Sequence, residues 1–107
     1  MIKVGDKLVS GSIDKTIKIW NYENKSCENT LKGHDKTVRC LVHINSNIIA
    51  SGSYDYSVRI WDIVTSVCLK TFKLHSKEVL CLIKLNDFQM VSGTEDTTIR
   101  VFNFDLK

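Results

Sequence analysis

SGSYDYSVRIWD at residues 51–62 is the stretch on which the fold turns, because it recurs as SGSIDKTIKIWN at 10–21 and as SGTEDTTIRVFN at 92–103. The spacing is 41 residues both times and needs no gap. The same shift lays His34 on His75, Val38 on Val79, Leu41 on Leu82, Thr30 on Thr71 and Lys32 on Lys73. A period of this length marks an architecture built from stacked copies of one supersecondary unit.

Inside a unit the hydrophobic pattern is that of short strands. In Val58-Arg59-Ile60-Trp61 apolar and charged residues alternate with period two, which predicts a strand with one wet face. Residues 38–44 and 79–85 are nearly continuously apolar, which predicts a strand buried on both faces. Turn residues at Asn45-Ser46-Asn47 and Asn86-Asp87 then lead into strands ending at Ser51-Gly52 and Ser92-Gly93. Residues 67–72 supply a fourth, outer strand. Lettering the four strands of a unit a to d, the chain reads b, c, d, then a, b, c, d, then a, b, c, or ten strands. A partial unit covers 1–32, a complete one 33–73, and one lacking its outer strand 74–107.

Composition narrows the function. Apolar residues make up 43% and charged residues 25% of the 107, ordinary for a chain with a packed core. The amino terminus has neither the long apolar stretch nor the cleavage site of a secretory signal, and no run approaches the ~18 apolar residues of a membrane span. A protein of the cytoplasm or nucleus, without a membrane partner, is the expectation. The net charge of +3 is scattered. The lysines fall at turns and outer strands on different sides of a unit, so they read as solvated surface rather than a contiguous nucleic-acid site with stacking aromatics. Cys27 and Cys68, like Cys40 and Cys81, stand one repeat apart, with no C-x-x-C pair and no histidine at ligand spacing. They read as small buried hydrophobes in a reducing compartment. No metal or cofactor is expected.

Four short antiparallel strands per unit, with Gly33-His34 near the start of one and Trp61-Asp62 near its end, resemble the WD-repeat β-propeller family. The resemblance covers essentially the whole chain and implies an all-β segment of four-stranded antiparallel blades. At about two and a half units the segment is an open, incomplete ring, since closure needs at least about four blades. Open sheet faces predict pairing, with missing blades supplied by the rest of a longer chain or by another subunit. In blades of this family a histidine, a serine or threonine, an aspartate and a tryptophan form a hydrogen-bonded chain, and the matching residues are His34, Ser51, Asp55 and Trp61. These groups run from a pure donor, the indole, to a pure acceptor, the carboxylate. The third unit matches with His75, Ser92 and Asp96, but Phe102 replaces the tryptophan and Leu74 the glycine, so its chain is incomplete. The first unit offers Ser10, Asp14 and Trp20 without a histidine. A serine, a histidine and an aspartate also suggest a hydrolase triad, but recurrence in every unit marks them as framework, so no enzyme is expected.

Recognition then falls to the rim. By the same resemblance, partner-contacting positions match Ile13, Tyr54 and Glu95, just before each blade aspartate, and Thr37, Arg39, Glu78 and Leu80 around the valine that starts strand a. The central unit looks most like propellers of the F-box substrate receptors of ubiquitin ligases, through Val38-Arg39-Cys40, the run at 51–55 and Cys68-Leu69-Lys70-Thr71. That implies binding of proteins or peptides, phosphorylated ones included, with Arg39 as a planar fork of donors and Tyr54 as an adjacent aromatic wall. Glu78, Leu80 and Glu95 on the neighbouring unit count against a strong phosphate site. The rival reading is a structural module within a large coat, ribosome-biogenesis or signalling assembly.

Overall fold

A computed structural model describes residues 1–73, 75–95 and 98–104, and among these eleven strands form three antiparallel sheets with no helix. The first sheet holds β1 (Ile2–Val4), β2 (Lys7–Gly11), β3 (Ile17–Asn21) and β4 (Ser26–Leu31). The second holds β5 (Val38–Asn45), β6 (Ile48–Ser53), β7 (Val58–Asp62) and β8 (Val67–Phe72). The third holds β9 (Val79–Lys84), β10 (Gln89–Thr94) and β11 (Ile99–Asn103). Each sheet is a meander whose neighbours in sequence are neighbours in space. The ten-strand reading misses β1, a three-residue remnant of strand a that pairs Ile2 with Val9 and Val4 with Lys7. Three residues are too few to carry an alternation pattern, so tertiary pairing alone reveals them.

The hairpins are made by polar side chains that hydrogen-bond their own backbone. Between β2 and β3, Asp14 Oδ1 accepts from the amide and hydroxyl of Thr16, which hold its carboxyl below the ordinary carboxylate range. Asp55 Oδ1 does the same for Ser57 between β6 and β7. Lys15 and Tyr56 occupy the same left-handed position of these two turns, with φ of 76° and 73°. At the next turn Asn21 Oδ1 accepts from the amides of Glu23 and Asn24, and Asp62 Oδ1 from those of Val64 and Thr65. The aspartate after Trp61 is thus a turn-former.

The sheets stack face to face, and the core lies between them. Val9, Ile17 and Ile19 of the first sheet meet Ile49, Trp61 and Ile63 of the second. One repeat later Ala50, Val58 and Ile60 meet Met90 and Phe104, with Phe102 half-buried beside them. Phe102 also packs against Phe72 at 5.1 Å between ring centroids, so the aromatic that replaces tryptophan keeps its packing role while losing its donor.

Two readings of burial need correction. The cysteines are all free thiols, but Cys27 and Cys81 are exposed and Cys40 and Cys68 only half-buried. Cys40 is covered because the third sheet lies on it, and burial pushes its thiol up to about 12. Cys81 holds the equivalent place in the third sheet, whose far face nothing covers. For the same reason β9 is not buried on both faces, and Ile83 and Leu85 stand exposed.

Candidate functional site

The second sheet brings His34, Ser51, Asp55 and Trp61 into one hydrogen-bonded chain. Trp61 Nε1–H donates to Ser51 Oγ at 2.8 Å, the serine hydroxyl meets His34 Nε2 at 2.6 Å, and His34 Nδ1 meets Asp55 Oδ2 at 2.9 Å. An indole only donates and a carboxylate only accepts, so the hydrogens run one way and place the imidazole proton on Nδ1. Asp55 Oδ2 also takes the amide of Asp35 at 2.9 Å. Burial alone would raise the Asp55 carboxyl, but donors from Ser57, Asp35 and His34 together bring it down to about 2. Burial lowers His34 in spite of the carboxylate beside it, which keeps the ring neutral. The chain therefore pins the segment before β5 to the β6–β7 turn. Gly33 fits only without a side chain, since a Cβ there would come within 2.9 Å of the Trp61 ring.

This geometry has the order of a nucleophilic triad, yet it cannot act as one. Ser51 is fully buried and its oxygen already accepts from Trp61 while meeting His34, so no substrate carbon can approach it. The other two sheets hold portions of the same chain. Ser10 Oγ accepts from Trp20 Nε1 at 3.0 Å, while Asp14 is exposed, serves its turn and lies 3.8 Å from Lys18 Nζ. His75 Nε2 and Ser92 Oγ lie 2.6 Å apart. Asp96, like Leu74, lies outside the described residues.

Reading by motif missed the serines beside Asp55. Ser57 is buried and donates to Asp55 Oδ1 at 2.5 Å, and its Oγ lies 3.3 Å from His34 Nδ1. Ser53 Oγ donates to the Thr37 carbonyl at 2.8 Å and accepts the Asp55 amide at 3.1 Å. The signal was present, because a hydroxyl residue recurs at each equivalent place: Ser12, Ser53 and Thr94, then Thr16, Ser57 and Thr98.

Above this framework the rim residues assemble in order. Val38 N–H donates to Ser12 O at 3.1 Å, which ties the start of β5 to the turn carrying Ile13. Tyr54 N–H donates to Thr37 O at 3.0 Å. Ile13, Thr37 and Tyr54 thus share one edge, with Ile13 the most exposed at 84%. Thr37 and Tyr54 are half-buried. Arg39 is exposed and is the extra residue of a β-bulge, because Val38 pairs with Ser53 and Cys40 with Gly52. Leu80 holds the same bulge position between Val79, opposite Thr94, and Cys81, opposite Gly93. A bulged residue leaves the in-out alternation of its strand, which takes both side chains out of the stacked core. Glu78 and Leu80 are half-buried and Glu95 is exposed. Lys36 lies over the Tyr56 ring at 5.7 Å and adds a cation–aromatic pair to this edge.

Comparison with known proteins agrees with this architecture. The WD40 family, described as WD domain, G-beta repeat, matches residues 3–21, 25–62 and 66–103. The solved structure of U3-55K superposes with a TM-score of 0.85 at 28% identity, covering 94% of this chain and 31% of that one. WD repeat-containing protein pop1 of Schizosaccharomyces pombe is 39% identical over 44 residues, 41% of this chain and 6% of that protein. Cell division control protein 4 of Saccharomyces cerevisiae is 49% identical over 37 residues, 35% of this chain and 5% of that protein. Coatomer subunit beta'-1 of Arabidopsis thaliana is 53% identical over 36 residues, 32% of this chain and 4% of that protein. The chain spans only a small part of the length of each of these relatives. With three units matched across most of its length, it belongs to the WD-repeat β-propeller family, whose repeats mediate protein–protein interaction in diverse complexes.

Proposed function

We propose that this chain is a non-catalytic binding scaffold of the cytoplasm or nucleus, and that its rim captures phosphorylated peptides to recruit substrates to a ubiquitin ligase. The observation that carries the reading is the bulge at Arg39, which sets a guanidinium free of its own ladder on the edge that also holds Ile13, Thr37 and Tyr54. A guanidinium offers a fork of donors matched to phosphate oxygens, and a half-buried tyrosine gives the peptide a flat apolar wall. The free thiols suit a reducing compartment. Similarity of one repeat to Cell division control protein 4 and to pop1 fits the F-box-receptor flavour of the central unit.

The test is fluorescence anisotropy with a labelled phosphothreonine peptide, its unphosphorylated twin, and Arg39→Glu. Phosphate-dependent binding that the substitution weakens about tenfold or more supports the reading. Equal binding of both peptides, or survival of binding in Arg39→Glu, removes it. The second reading, a structural module in a large assembly, draws on the similarity to coatomer subunit beta'-1. It predicts no peptide binding, with co-purification of the chain in a complex that Arg39→Glu leaves intact.

A further inference from the structure

At the end of the sheets opposite the rim, the junction between the first and second sheets holds a groove. The buried side chains of Val4, Ile19 and Ile63 form its floor, and Asp6, Glu28 and Val64 stand around a hollow of about 390 Å³. The β1–β2, β5–β6 and β7–β8 turns frame it, whereas the rim lies at the β6–β7 turn and the start of β5. Both sheets that form it lie within the chain, so a further sheet stacked before the first or after the third leaves it open.

Charge gives the groove its character. Lys7 Nζ donates to Glu28 Oε1 at 2.5 Å. That hydrogen bond, with the fields of Asp6, Glu28 and Glu23, raises Lys7 above its ordinary value in spite of partial burial. Three carboxylates thus act on one ammonium, and among the described residues Asp6 and Glu23 form no ion pair. Lys25, on the same turn as Glu23, lines a separate hollow with Trp20 and Tyr22.

The repeat shows that the fold does not require this acidic wall. One repeat on, Asn47 stands where Asp6 does, Val64 where Glu23 does and Leu69 where Glu28 does, while the larger Phe104 takes the place of Ile63. The second and third sheets still share a buried core. The carboxylates and the smaller floor residue are therefore particular to the first junction.

We infer that this groove docks an extended segment of a partner protein that carries a branched aliphatic side chain beside an arginine or lysine. The aliphatic group enters the hollow against Ile19, Ile63 and Val64, of which Val64 is 64% exposed. The cation meets Asp6 and Glu23. Apolar burial supplies affinity at such a site, and complementary charge at its margin sets partner and orientation. An acidic or phosphorylated segment is repelled here, so the partner class differs from the one proposed for the rim.

The experiment measures fluorescence anisotropy of the 107-residue chain with a short labelled peptide alternating leucine and arginine. One twin has glutamate for arginine, and another has serine for leucine. The leucine–arginine peptide is expected to bind, and each twin to bind about tenfold more weakly or worse. Asp6→Lys and Val64→Asp, both at exposed positions, should weaken binding about fivefold with an unchanged urea midpoint. Leu69→Lys adds the same charge at the place equivalent to Glu28 and should bind as the wild type does. Amide chemical shifts of the nitrogen-15-labelled chain should move at Asp6, Lys7, Asn47 and Val64 and stay fixed at Thr37 and Tyr54. No binding below roughly 1 mM would overturn the proposal. So would equal binding of the glutamate twin, which would make the contact a nonspecific apolar one. A loss in Leu69→Lys equal to that in Asp6→Lys, or shifts confined to Thr37 and Tyr54, would overturn it as well and put the basic peptide elsewhere on the surface.

Discussion

Val79 rests on the bare backbone of Gly52: a Cβ built on that glycine would lie 2.6 Å from Val79 Cγ1 and 2.6 Å from Cys40 Sγ. Gly11 and Val38 repeat the relationship one sheet earlier, at 2.7 Å. The glycines of the first two Ser-Gly pairs, Gly11 and Gly52, are therefore the seats of the next sheet, and the neighbour above each is backbone-anchored at a strand start.

Gly52→Ala tests this seat. Overpacking of a close-fitting core costs about 1–3 kcal/mol, and here the valine cannot withdraw without moving β9 away from β6. Urea unfolding should show the loss as a lower midpoint with an unchanged slope. A substitution tolerated without loss would mean the sheets stack more loosely than described.

Ser51→Ala removes the centre of the polar chain. It strands the Trp61 indole and His34 Nε2 together, at about 1–3 kcal/mol for each buried group left unpaired. Ser92→Ala strands one fewer such group, because Phe102 has no donor. The urea midpoint is therefore expected to fall further for Ser51→Ala than for Ser92→Ala.

Stability should decline on the acid side in two stages. Burial lowers His34 from its ordinary 6.5, so the unfolded chain binds a proton that the folded one refuses. That stability is complete above 6.5 and shrinks as the pH falls below it. Asp55 is brought from 3.8 to about 2, so its share is complete above 3.8 and is lost as the pH approaches 2. Urea midpoints at pH 7 and pH 5 check the first stage, and His34→Gln should flatten the difference between them.

Thiol reactivity should separate the cysteines. Cys27 is exposed on β4, whereas Cys40 is pressed under the third sheet with its thiol pushed up to about 12. A thiolate is the reactive form. Mass spectrometry after brief native labelling at pH 8 should find Cys27 modified and Cys40 spared until urea is added.

The repeat made much of this legible from residues alone. Alternation in 58–61 and the turn signals at 45–47 placed β5 to β8 within a residue or two of their observed bounds, because short-range pattern and turn chemistry act within one hairpin. The polar chain was legible through residue types recurring at one spacing. Arg39 was named from resemblance, but its release from the ladder was not legible, since a bulge depends on the register between two strands.

By itself the sequence determined the number of units, the strand order within each and the polar groups that tie a sheet together. Only the tertiary structure decided which apolar faces are covered. Cys40 and Cys81 sit in equivalent places, as do Ile60 and Val101, yet one member of each pair is covered and the other meets water. Local pattern marks a residue as apolar, but burial is conferred by the neighbouring sheet, and a neighbour is a property of the whole assembly.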